Sequence, residues 1–192
     1  VHTKNMEILQ LMVPETTRKK AKPFLYAFLF GGGSDKLALI LVGKRDTKVG
    51  KAAKDIFIEK TPGLKTLIDK VTKAFDATSA RSSSGQATIP CIDGRKVYVD
   101  SKHKALNYLL QSCEAITSKA AVAMLMDELD KAKIPWEPRI FMHDEAQFEV
   151  PEQYAEQAGA IAKMCFREAP KQFGVMIMDG EAKIGNNWYE CH

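Results

Sequence analysis

Arg18, Lys22 and Tyr26 stand four residues apart in RKKAKPFLYAFLFGGG. At about 100° per residue they fall within about 80° of one another and share one helix face. Two cations followed by an aromatic suit a nucleoside triphosphate: the cations meet phosphate oxygens, the ring lies on or beside the base, and the helix N-terminus adds a favourable dipole. The plainer reading is a solvated basic stripe with Tyr26 in the core, and Gly31, Gly32 and Gly33 read more simply as a helix stop than as a phosphate cradle. A second group, His143-Asp144-Glu145, lies between the apolar runs RIFM and AQFEV. Carboxylates held at a tight turn between strands present hard oxygens to Mg²⁺, and two-metal phosphoryl transfer needs carboxylates bridging ions about 3.5–4 Å apart. A polar hairpin turn is the plainer alternative. Third, His103, Asn107 and Gln111 recur at intervals of four in SKHKALNYLLQSCEA. Imidazole and amides on one helix ridge reach base edges or sugars in a minor groove, or else merely decorate a half-buried helix.

The elements that must position these groups follow from periodicity and punctuation. Residues 16–31 read as a helix capped by Thr16 or Thr17 and ended by the glycine triplet, with Pro23 an awkward interior residue that removes a backbone donor. Residues 35–42, 47–59 and 64–76 read as further helices, the last with an apolar stripe of Leu64, Leu67, Ile68, Val71 and Phe75. Residues 77–90 form a Ser/Gly-rich loop within a short hairpin whose second strand is 96–99. A long helix spans 102–132, which contains neither Pro nor Gly. Paired strands are expected at 139–142 and 147–150, a helix at 151–170 opened by Pro151, and a last pair of short strands at 175–179 and 182–184. The fold class is therefore α+β: a helical first half, then a long helix and a small antiparallel sheet.

With 192 residues, 45 % apolar and 27 % charged, the chain has ordinary globular composition and is long enough for a substantial core. Its apolar runs fall far short of the ~20 residues of a membrane span, so no membrane partner is expected. Cys91, Cys113, Cys165 and Cys191 show no CxxC spacing, which argues against a zinc site or disulfide framework and for reduced thiols in a cytoplasmic protein. Charge is uneven: residues 1–105 carry 20 Lys/Arg and 10 Asp/Glu, residues 106–192 carry 8 and 14. A basic half joined to an acidic half fits a machine that grips polyanions with one part and holds cations with the other, although a solvated basic surface has the same signature.

Taken in order, RxxxKxxxYxxxF, GRKVxxxSxHxALNxLLQS, HDE and the closing EAKIGNNWYECH resemble the C-terminal part of family A (pol I-like) DNA polymerases. The resemblance is greatest to the replicative enzymes of short-tailed bacteriophages, and it extends over essentially the whole chain. It implies a helical fingers subdomain over 1–105 and the C-terminal part of the palm over 106–192. It implies primer–template DNA and a dNTP as partners and two Mg²⁺ ions as cofactors. By the same resemblance Arg18 and Lys22 bind triphosphate oxygens, with Lys22 an acid toward departing pyrophosphate. Tyr26 lies against the sugar, Phe30 (usually Tyr in the family) lies near the templating base, and His2 belongs to the nucleotide-binding surface. Arg95, Asn107 and Gln111 contact primer–template, with His103 on the same ridge. Asp144 ligates metal, Glu145 is its acidic neighbour and His143 lies near the primer terminus. The family's other metal-binding aspartate, in motif A, precedes the segment that VHTKN matches. The expectation is thus an isolated chain that is inactive until an N-terminal polymerase part carrying thumb and motif A completes it. Two alternatives stand beside this: a single-subunit RNA polymerase, which would carry HDS rather than HDE, and a non-catalytic DNA-binding fragment or subunit.

Overall fold

In the computed structural model, residues 2–80, 82, 86–175 and 178–191 are described. They form eight α-helices and two antiparallel hairpins among those residues, in agreement with the α+β reading. The chain divides into two compact units, one of Val1–Pro90 with Lys96–Leu110, the other of Cys91–Arg95 with Gln111–His192.

The first unit opens with α1 (His2–Gln10), α2 (Arg18–Leu29), α3 (Ser34–Val42), α4 (Thr47–Glu59) and α5 (Pro62–Ser79). Leu9, Val13, Phe24, Phe28, Leu37, Leu41 and Phe57 are buried together between the first four. Phe57 meets Phe24 and Phe28 edge-on at 5.7 and 5.6 Å, the arrangement the ring quadrupole favours. Asp46 caps α4, its carboxylate accepting from the Lys48 and Val49 N–H groups at 3.0 and 3.1 Å. Gly50 allows α4 to cross α3 closely, because a Cβ there would lie 1.9 Å from the Ser34 carbonyl oxygen.

Pro23 sits inside α2, yet the helix runs through it. Pro23 and Lys19, whose carbonyl loses its partner, are both exposed, so water can satisfy the orphaned acceptor. α2 then ends in a Schellman turn: Gly31 has φ +75°, the Gly32 N–H donates to Ala27 O at 2.7 Å and the Gly31 N–H to Phe28 O at 3.1 Å. Gly33 caps α3. The glycine triplet is therefore one helix stop and the next helix start.

A second core of Val71, Phe75, Ala87, Ile89, Val99 and Ala105 joins α5 to the hairpin of β1 (Ala87–Pro90) and β2 (Lys96–Val99). Thr88 faces Tyr98 in the ladder. The Thr78 hydroxyl donates to the Thr88 carbonyl at 2.9 Å and accepts from its N–H at 3.0 Å, so a helix side chain satisfies this stretch of strand backbone. The expected loop at 77–90 is accordingly shorter, with α5 and β1 taking its two ends; Arg81, Ser83, Ser84 and Gly85 lie outside the described residues.

The long helix α6 (Ala105–Lys131) follows a 3₁₀ turn at Lys102–Lys104. The second unit contains its Gln111–Lys131 part, the hairpin of β3 (Glu137–Met142) and β4 (Glu145–Glu149), α7 (Ala155–Glu168) and α8 (Trp188–Cys191). Leu125, Leu129, Ile134, Ala158 and Cys165 form its core, with Trp136, Phe148 and Ile161 against it. The 151–170 helix begins as a 3₁₀ turn at Glu152–Tyr154 and ends in another at Ala169–Phe173.

Two sequence expectations are corrected. Residues 182–184 form no strand. The Ala182 and Ile184 side chains turn instead to α7, where Gly159 leaves room for them. The partner strand expected at 175–179 falls partly on Met176 and Ile177, outside the described residues. His103 belongs to the 3₁₀ turn and not to α6, so its spacing of four to Asn107 does not place it on that helix's face.

Candidate functional site

α2 is built two-faced. Ala21, Phe24, Ala27 and Phe28 are buried, and this apolar face fixes the rotation of the helix. Arg18, Lys22, Tyr26 and Phe30 are consequently turned to solvent. Tyr26 and Phe30 keep 46 and 53 % of their surface exposed, and their rings stack at 6.5 Å with 19° between planes. Tyr26 is thus a surface ring, not a core residue. The result is a strip of two cations followed by two exposed aromatics. Lys20, two residues from both Arg18 and Lys22 and so on the other side of the helix, is used structurally: its Nζ donates to Leu41 O at 2.6 Å and closes the end of α3. His103 comes to the end of this strip. Its carbonyl oxygen would lie 2.7 Å from a Cβ on Gly31. Asn107, in the first turns of α6, is half-buried. The His2 side chain lies outside the described ones.

In the second unit the site is set by how the β3–β4 hairpin is held. Lys133 (φ +56°) ends α6, and the Ile134 N–H returns to Leu129 O at 3.0 Å. Trp136 then donates from Nε1 to Asp130 at 2.8 Å and meets Phe148 edge-on at 5.7 Å. These contacts tie the foot of the hairpin to the helix. The strand register slips between Pro138 and Ile140, which makes Arg139 a bulge residue of the kind that bends a strand and re-aims the residues beyond it. Its guanidinium spans Glu137 at 2.6 Å and Glu149 at 2.7 Å, and these carboxylates, Glu149 foremost, hold Arg139 above its ordinary pKa.

Met142 pairs with Glu145, so His143 and Asp144 alone make the turn. His143 takes φ +56°, a left-handed conformation that costs a non-glycine residue about 1–2 kcal/mol and is favoured where a side chain must be aimed. Asp144 is exposed at the tip. Glu145 is half-buried, and Gln147 Nε2 donates to it at 2.6 Å. A cavity of about 360 Å³ lies between α6 and this turn, lined by Gln111, Glu114, Ala115, Phe141 and His143. The structure therefore brings Gln111 and His143 together, as residues 32 apart in sequence, and adds Glu114 and Phe141, which the sequence reading did not single out. Gln111, Glu114 and Ala115 follow the i, i+3, i+4 rule of one helix face, and that spacing was the available signal.

Arg95, in the turn between β1 and β2, is bonded to Asp93 through both its backbone N–H and its guanidinium. Desolvation pushes Asp93 up, but these bonds outweigh it and hold the carboxyl below the usual range. Among the described residues no group of three or more His, Cys, Asp and Glu side chains could hold a metal. Asp144 and Glu145 offer the hard oxygens that magnesium prefers, and Mg²⁺ commonly takes one or two carboxylates and fills the rest of its shell with water and substrate phosphate. The pair fits such an ion as a partial donor set.

Comparison with known proteins gives the family by sequence and the fold by structure. The sequence model of DNA polymerase family A matches residues 1–190. The DNA-directed DNA polymerase of Enterobacteria phage T3 is 32 % identical over 211 aligned residues, covering all of this chain and 28 % of the relative. Those of Escherichia phage Phieco32 and Escherichia phage T7 are 30 and 31 % identical, again over all of this chain and over 30 and 28 % of the relatives. The chain thus spans less than a third of the length of these curated relatives. Among solved structures, the POL domain of Pol1 from M. smegmatis in complex with DNA primer-template and dNTP superposes on 86 % of this chain and 31 % of its own with a TM-score of 0.67, at 20 % identity, a likeness of fold. With a matching sequence model along nearly the whole chain and the fold to go with it, these 192 residues belong to DNA polymerase family A.

Proposed function

We propose that this chain supplies the fingers (1–105) and the C-terminal part of the palm (106–192) to template-directed DNA synthesis, the transfer of a dNTP to a primer 3′-hydroxyl. The observation that carries the reading is the β3–β4 turn: Asp144 stands exposed at the tip of a two-residue loop, with Glu145 beside it and the Gln111–His143 cavity behind. A metal-binding carboxylate and an amide able to read a minor groove are wanted together at a primer terminus.

In this mechanism Asp144 holds divalent cation, and Glu145, steadied by Gln147, supplies the neighbouring oxygens. The chemistry that magnesium contributes when bound is to acidify the primer 3′-hydroxyl and neutralise charge on the triphosphate. Arg18 and Lys22 bind triphosphate oxygens, and Lys22 delivers a proton to the departing pyrophosphate. Tyr26 rests against the incoming sugar and Phe30 lies near the templating base. Arg95, His103, Asn107 and Gln111 hold primer–template, the two amides from the minor groove, and His143 positions the primer end. Two-metal transfer would call for a second carboxylate, which the N-terminal polymerase part carrying motif A would supply.

Primer extension with Mg²⁺ and four deoxynucleotides tests the reading, run on this chain alone and with an N-terminal part carrying thumb and motif A. Extension that appears with the added part, and is lost with Asp144→Ala, supports it. Primer–template binding that survives Asp144→Ala, with no extension in any mixture, would replace it with a non-catalytic DNA-binding subunit.

A further inference from the structure

Among the described residues, Glu114 is the one formally charged side chain in the wall of the α6–hairpin cavity, set between Gln111 and Ala115 on the helix and opposite Phe141 and His143. It is exposed, and it lies three residues, about 4.5 Å, beyond Gln111 along the axis. Such a placement is costly beside a polyanion unless the carboxylate meets a hydrogen-bond donor there. An amide such as Gln111 can donate to N3 and O2, the acceptors that every base pair shows in the minor groove. A carboxylate can only accept, and it is repelled by those same atoms.

We propose that Glu114 is a specificity-determining residue of this cavity, accepting a hydrogen bond from a donor in the minor groove of the bound duplex. The inference rests on the polymerase reading of Gln111 and His143 given above. Two nucleic-acid groups carry the required chemistry: the exocyclic 2-amine of guanine, the sole base donor in that groove, and the 2′-hydroxyl of a ribose in an RNA strand. The cavity would therefore rank primer ends by what they donate, while Gln111 holds all of them alike.

The test is equilibrium binding of labelled primer–template to the chain, read by fluorescence anisotropy at fixed salt. Three duplexes differ only near the primer terminus: G·C pairs, the same pairs with inosine for guanine, and the inosine duplex with an RNA primer. A charge-assisted bond of this kind is worth about tenfold in Kd. Tighter binding of G·C than of I·C by about that factor, abolished by Glu114→Ala, assigns the amine. Tighter binding of the RNA primer, abolished by the same substitution, assigns the hydroxyl. Glu114→Gln, which keeps an acceptor oxygen, should retain part of either preference. Equal Kd values across all three duplexes, or preferences that persist in Glu114→Ala, overturn the inference while leaving the polymerase reading intact. Failure to bind any primer–template would overturn both. Ala is the best helix former and Glu114 is exposed, so the substitution leaves α6 standing.

Discussion

On the function proposed above, Lys22 and Asp144 are the side chains whose removal should be felt most in catalysis. With an N-terminal polymerase part added to give extension, Lys22→Ala and Asp144→Ala are each expected to reduce primer extension by about a hundredfold or more, the loss typical of one transition-state stabiliser; single-turnover rates check this, and wild-type rates would refute the assignments. Cys165 offers a prediction that does not depend on catalysis. Its side chain is wholly buried, and desolvation, with Glu128 adding to it against Lys131, pushes the thiol from about 9 up to about 11. The native state therefore keeps a proton that the unfolded chain releases, so stability is full below pH 9 and falls as pH rises from there toward 11. Urea denaturation at pH 8 and pH 10.5 should show a smaller decline for Cys165→Ala than for the wild type. Residue types and spacing made Arg18, Lys22 and Tyr26 legible in the sequence as one face, because an intervening aromatic core at Phe24 and Phe28 locks the helix rotation. Glu114 escaped notice because Phe141 and His143, which share its cavity, approach it only through the hairpin.

At the scale of elements, most helices were readable from apolar stripes and their stops. α1 was not: HTKNMEILQ is mainly polar, and its burial of Leu9 comes from contact with α2 and α4. The strand expected at 182–184 failed for a related reason, since an alternating Ala and Ile serve equally well to dock an irregular segment on Gly159. The bulge at Arg139 was also hidden, because a one-residue slip leaves no mark on composition. Two glycines test the helix junctions. Gly31→Ala should cost at least about 1–2 kcal/mol, through its left-handed φ and the His103 carbonyl. Gly50→Ala should cost about 1–3 kcal/mol by forcing α3 and α4 apart. Chemical denaturation of each variant measures these losses, and a neutral Gly50→Ala would show that the helices can separate freely.

For the molecule as a whole, the excess of Lys and Arg in residues 1–105 predicts binding dominated by phosphate neutralisation. Affinity for primer–template should fall by about a hundredfold or more between 50 and 200 mM salt, and a flat salt response would remove nucleic acid as the partner of that surface. The charge division was plain in the sequence, whereas the split of the 105–131 helix between two units was not, since an uninterrupted helix carries no boundary signal. The hairpin that presents Asp144 has one more consequence. Every residue of β3 is exposed, Ile140, Phe141 and Met142 at 42–50 %, and among the described residues β3 pairs only with β4. An apolar strand with an open edge is a template for other strands. Purified alone, the chain should lose solubility as its concentration rises, well before it loses its fold, and Met142→Lys should hold it in solution for longer.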